Sequence, residues 1–249
     1  MLRLVRAEFV KLRTTQVWFW LLLAAIAISA LICVGGMAGG GVTDAHDVAE
    51  AMADTNGVCI TTFVLGILVI TTEFRYQTVT PTVLGTPRRS RIVAAKLVAT
   101  ALVGAGFGLT CVAVSSAVTF PWAAGKGIST PLDDHDVRRT LLGLPLVIIL
   151  MGLVGVGVGA LIRNQVTAVV LGLIFLLVLQ NVVAAIPTVK SAWPYTPSGG
   201  VTAVLYSGPD AAPNHIDLLP VWGGAIVLLT WALIPAIAGA TITMNRDIT

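Results

Sequence analysis

Glu73–Lys96 reads E-F-R-Y-Q-T-V-T-P-T-V-L-G-T-P-R-R-S-R-I-V-A-A-K, a basic, polar, proline-punctuated island between two long apolar runs. The chain around it is 56% hydrophobic and only 11% charged, and its mean hydropathy is +0.92. A soluble domain carries about 25% charged residues. Several apolar runs reach the roughly 18 residues that mark a membrane-spanning helix. The composition therefore predicts an all-α membrane protein, a single transmembrane domain over residues 1–249. The side of the membrane on which the island lies then fixes the number of spans.

Six spans are predicted, at about 16–36, 57–72, 92–120, 141–162, 166–186 and 218–244. The first is too long for a signal-peptide core, and no A-x-A site follows it. The second is short and carries Thr61, Thr62, Thr71 and Thr72. Charge supports it. With both termini in the cytoplasm, the inside segments hold Arg3, Arg6, Lys11, Arg13, Arg75, Arg88, Arg89, Arg91, Lys96, Arg163 and Arg246. Only Lys126, Arg138, Arg139 and Lys190 of the 15 basic residues remain outside, the bias of the positive-inside rule. Without span two, the densest basic cluster would face outward.

The N-terminal segment, Met1–Arg13, reads as an amphipathic helix at the inner lipid surface. Leu2, Val5, Phe9 and Leu12 share one stripe, and Arg3, Arg6 and Arg13 lie off it. The plainer reading is a set of topogenic charges before the first span, and both readings stand. Residues 37–56 and 121–139 read as solvated outer loops, the second containing D-D-H-D at Asp133–Asp136. The D-D-H-D run lacks a second ligand cluster, so it is not read as a metal site. His46 and His215 read as isolated surface residues. Short re-entrant helices are expected between spans five and six, where Trp193, Tyr195 and Tyr206 suit a membrane interface. Pro220 and Pro235 are expected to bend span six.

Within the spans, Gly104 with Gly108 and Gly155 with Gly159 fit G-x-x-x-G and are expected to pack helices. Gln180 and Asn181, in span five, are candidates for lining a substrate path or for an inter-helix hydrogen bond. Cys33, Cys59 and Cys111 lie in apolar runs with no C-x-x-C spacing and read as small buried hydrophobes. No phosphate-binding G-x-x-x-x-G-K-[ST] occurs, so no ATP hydrolysis, cofactor or metal is expected in this chain. No charged residue lies mid-span to serve a proton relay.

A short helix is expected near Gln77–Leu84, limited by Pro81, before the T-P-R-R-S-R stretch at Thr86–Arg91. Lys96 is expected to snorkel back to the interface. Here the sequence resembles the membrane subunits of ABC-2-type exporters. The matching positions are Glu73, Thr78, Val83-Leu84, Pro87–Arg91 and Lys96, with Gln77-Thr78 in place of the usual glycine and threonine, and A-L-I-R-N-Q at Ala160–Gln165. The resemblance implies a bacterial plasma-membrane efflux permease, paired with a second copy or a similar permease and with two copies of an ABC ATPase that carries ATP and Mg. It makes the island a coupling helix that includes Pro87: Glu73 and Arg75 brace it by ion pairs, Gln77 to Thr86, with Thr78 and Leu84 among them, contact the ATPase, and Arg88, Arg89 and Arg91 hold it at the membrane face. The substrate expected is hydrophobic or amphipathic: a drug, lipid, peptide or natural product. No nucleic-acid partner is implied. The alternatives are a nucleotide-independent channel or carrier, and a non-transporting scaffold or immunity protein.

Overall fold

The computed structural model describes residues 2–39, 42–75, 89–128, 132, 134–162, 164–206, 211–239 and 241. Among them every regular element is helical. Helix α1 (Leu2–Thr14) is followed by α2 (Val17–Ala38), α3 (Ala45–Ala53) and α4 (Cys59–Arg75). Next come α5 (Arg89–Gly125), α6 (His135–Leu161), α7 (Gln165–Ile174) and α8 (Gln180–Ala185). Helices α9 (Pro197–Leu205) and α10 (Val221–Ala238) complete the order. Six stretches are long and apolar enough to cross a membrane: 17–38, 45–73, 93–125, 135–161, 165–185 and 221–238.

Several of these differ from the sequence expectation. The acidic segment before span two is not a loop but α3, whose first turn holds a capping box. Asp44 accepts from the Asp47 amide, and Asp47 accepts from the Asp44 amide. A 3-10 turn, Asp54–Val58, then joins α3 to α4, so span two is the second half of a longer helical rod. Span four also starts early, because Asp134 of D-D-H-D caps α6 by accepting from the Asp136 and Val137 amides. Pro220 precedes α10 rather than bending it, whereas Pro235 lies inside it. Of the coupling-loop residues, Gln77, Thr78, Leu84, Pro87 and Arg88 lie outside the described residues. Only the backbones of Arg89 and Arg91 are described, in the first turn of α5.

Helix α6 is the hub and packs against α4, α5 and α10. Glycines set how closely. A methyl at Gly155 would strike the Phe63 carbonyl of α4, and one at Gly159 would come 2.9 Å from the Ile67 oxygen. Gly104 and Gly108 of α5 lie over Ile149 and Pro145 of α6, where an added Cβ would be 3.1 and 2.6 Å from the Cα atoms. Thr62 bonds across the same seam to the Ile148 carbonyl at 3.1 Å. In lipid there is no hydrophobic drive between helices, so this backbone proximity supplies the attraction as dispersion. Cys33, Cys59 and Cys111 are free and buried.

Helix α9 is buried against α6 and α10 and held at both ends. At its N-terminus Thr196 accepts from the Gly199 amide, and Gln180 accepts from the Ser198 amide at 2.6 Å. At its C-terminus Arg139 donates to the Ala203 and Val204 carbonyls at 2.7 and 3.0 Å. These are the orphan donors and acceptors that a helix end must satisfy. A π turn at Phe175–Leu179 separates α7 from α8, immediately before Gln180. Inserting one residue in this way rotates the following helix, here α8.

Candidate functional site

Where α1, α4 and α5 meet, four charged side chains gather: Glu8 and Lys11 from α1, Glu73 from α4 and Lys96 from α5. Lys96 is 1% exposed. Its Nζ lies 2.8 Å from Glu8 Oε2, 3.0 Å from Glu73 Oε1 and 3.0 Å from the Val69 carbonyl. Three oxygens thus match the three protons of one ammonium. Lys11 Nζ closes the ring, 3.0 Å from Glu8 Oε1 and 2.7 Å from Glu73 Oε1. Two carboxylates face two ammoniums, so the group carries no net charge.

The geometry follows from local structure. Glu8 and Lys11 are three residues apart and share a helix face. Glu73 occupies the last turn of α4, where the helix dipole disfavours an acid; two ammoniums offset that penalty. Lys96 sits beyond the first turn of α5, where the dipole has faded. Burial works against the charge on Lys11, but the hydrogen bonds and charges of Glu73 and Glu8 outweigh it. Its pKa therefore stands above the ordinary lysine value. Buried ion pairs repay their desolvation only when fully partnered, so the ring defines one arrangement of three helices more firmly than it stabilises it.

Lys96 does not snorkel to the interface. On α1, Glu8 faces inward at 6% exposed, while Phe9 of the apolar stripe is 38% exposed and Leu12 packs on the core. The ion pairs turn the helix so that its lone acid points into the protein. A cavity of about 180 Å³ adjoins the ring, bounded by Lys11, Trp18, Thr72, Glu73 and Gln165. Arg75 is exposed, and its Nη1 lies 3.4 Å from Gln165 Oε1. Asn164, in the A-L-I-R-N-Q segment, caps α7 by accepting from the Thr167 amide. The two helix-terminal residues Arg75 and Gln165 thus lie beside the ring.

The other candidates lie elsewhere. Gln180 is 1% exposed and bonds across to α9, while Asn181 is exposed and bonds back to the Leu177 carbonyl of its own helical run. On the opposite end of the bundle, His46 is not isolated. Its Nδ1 lies 2.8 Å from Asp136 Oδ2 and its Nε2 3.6 Å from Glu50. Nearby, Tyr206 donates to Asp54 at 2.7 Å and accepts from Asn56 at 2.8 Å. Glu8 and Lys11 escaped the sequence reading. The available signal was that Glu8 is the sole acid before Asp44, placed in an otherwise basic helix.

The sequence profile of a family described as ABC-2 family transporter protein matches residues 4–184. That range takes in most of α1, the charged ring and nearly all of the first five spans, and it ends within α8. No curated protein matches the chain. With six membrane-capable helices and a profile match over most of its length, the chain belongs to the ABC-2 transporter family and is a multi-pass membrane permease.

Proposed function

We propose that the chain is the transmembrane subunit of an ATP-driven exporter in a bacterial plasma membrane, with both termini in the cytoplasm. A separate ATPase, two copies per complex with their ATP and Mg, would engage residues 76–88 between α4 and α5. The observation that carries this reading is the charged ring at the root of that segment. Glu73 stands just before it and Lys96 just after it, and the pair joins the two flanking helices. Transmission of a push requires a stiff element with discrete arrangements. A ring whose buried ammonium, Lys96, meets three oxygens has that stiffness, and α1 is locked into it by Glu8 and Lys11. On this reading Arg75 braces the loop from the side of α7. Two permease copies, identical or similar, would enclose a path for a hydrophobic or amphipathic substrate.

The test is copurification. Tagged protein should retain an ABC ATPase, and substrate should stimulate that ATPase in proteoliposomes. Glu73→Gln and Lys96→Met should keep the ATPase bound while uncoupling hydrolysis from transport. Absence of any bound ATPase, or full coupling in both variants, refutes the reading.

A further inference from the structure

A second cavity, of about 630 Å³, opens between α1, α2 and α5. Its volume lies in the roughly 300–1,000 Å³ range of small-molecule sites. Its walls are apolar: Phe9, Trp18, Leu22 and Phe107 all line it. Gly106 also lines it, and a Cβ built there meets nothing within 4 Å, so the space continues up to the α5 backbone. Among the described residues the single charged group on its lining is Arg6, with no carboxylate on the same lining, and Arg6 is exposed. Glu8, the one acid of α1, is unavailable to it because Lys11 and Lys96 hold both of its oxygens. The flanking faces of α2 and α5 are lipid-facing and apolar, with Leu23 47%, Leu102 54% and Leu109 64% exposed.

We infer that this cavity holds an acyl chain of an anionic phospholipid from the leaflet on which α1 lies, its phosphate against Arg6. An open apolar slot continuous with lipid-facing helices accepts a chain from the side. A cation with no protein counter-charge at that slot selects a negative headgroup. The occupant is the bilayer's own lipid, independent of ATP hydrolysis and of any transported substrate.

The test uses the full chain purified in mild detergent and offered phosphatidylglycerol or phosphatidylcholine, with retained lipid counted by native mass spectrometry. Wild type should hold one phosphatidylglycerol per chain, favoured by about fivefold, the effect of one basic residue at an anionic surface. Arg6→Gln should erase the headgroup preference, and Arg6→Lys should restore it. Gly106→Leu should fill the slot and abolish retention of either lipid. Equal retention of both lipids by wild type, or unchanged retention by Gly106→Leu, overturns the assignment. So does a shift of Gly106→Leu from dimer to monomer with lipid unaffected, which would give the groove to a second copy of the chain.

Discussion

Replacing Lys96 by Met keeps the length and apolar stem of the side chain and removes only the ammonium. Glu8 and Glu73, each under a tenth exposed at the side chain, then face one another with Lys11 as their one remaining partner in the ring. Breaking a buried pair by deleting one member costs about 3–5 kcal/mol, because a buried charge is left uncompensated. The same change at Lys11 should cost about 0.2–1 kcal/mol, since that side chain is 47% exposed, water screens its own attraction, and Lys96 still partners both carboxylates. For a chain of this size each kcal/mol moves the melting point by about 2–4 °C. Lys96→Met should therefore lower it by about 6–20 °C and Lys11→Met by no more than about 4 °C. The assay is thermal unfolding in detergent, followed by cysteine labelling of the buried Cys59 or Cys111. Adding Glu8→Gln to Lys96→Met restores neutrality and should recover part of the loss, a coupling of about 0.5–3 kcal/mol between contacting sites. Equal losses for Lys96→Met and Lys11→Met, or strict additivity in the double variant, would refute the account of the ring as a buried, mutually dependent unit.

Gly155→Leu should destabilise by about 1–3 kcal/mol or more through overpacking against the Phe63 carbonyl, while Gly35→Ala, which meets nothing, should be neutral or slightly stabilising; melting in detergent separates them. Arg139→Leu strips the donors from the Ala203 and Val204 carbonyls, a loss of about 1–3 kcal/mol, and hydrogen exchange should accelerate in α9 before the rest of the bundle. Tyr206 has its phenol pKa raised above the ordinary 10.0 by burial and by the charge of Asp54. A raised pKa stabilises the fold fully below pH 10 and loses that contribution as pH climbs through the folded value. Alkaline melting curves should thus steepen above about pH 10 in wild type and less so in Tyr206→Phe.

The spans were legible because lipid imposes a length and a composition on every crossing helix. The glycine pairs were legible as close-packing positions, but not which partner each would meet. What escaped was long-range charge pairing. Lys96 ends the island in sequence, yet its partner Glu8 is 88 residues away, and His46 meets Asp136 across 90. No periodicity encodes such contacts. Helix α3 carried a readable signal, Asp44 and Asp47 at capping-box spacing, but a cluster of acids between two spans reads first as a solvated loop. On α1 the apolar stripe was legible, but not that Glu8, off that stripe, would be drawn inward by Lys96.

The charged ring also sets an order in time. Its members leave the ribosome as Glu8, Lys11, Glu73 and finally Lys96. At about 5–20 residues per second, the 23 residues separating Glu73 from Lys96 occupy about 1–5 s. During that interval the nascent chain holds two carboxylates and one ammonium at the membrane face, an arrangement that becomes neutral only when the third span begins to emerge. Synthesis of α5 is therefore the step that completes the tie between span two and α1, and a chain halted before residue 96 lacks the group that would complete the ring.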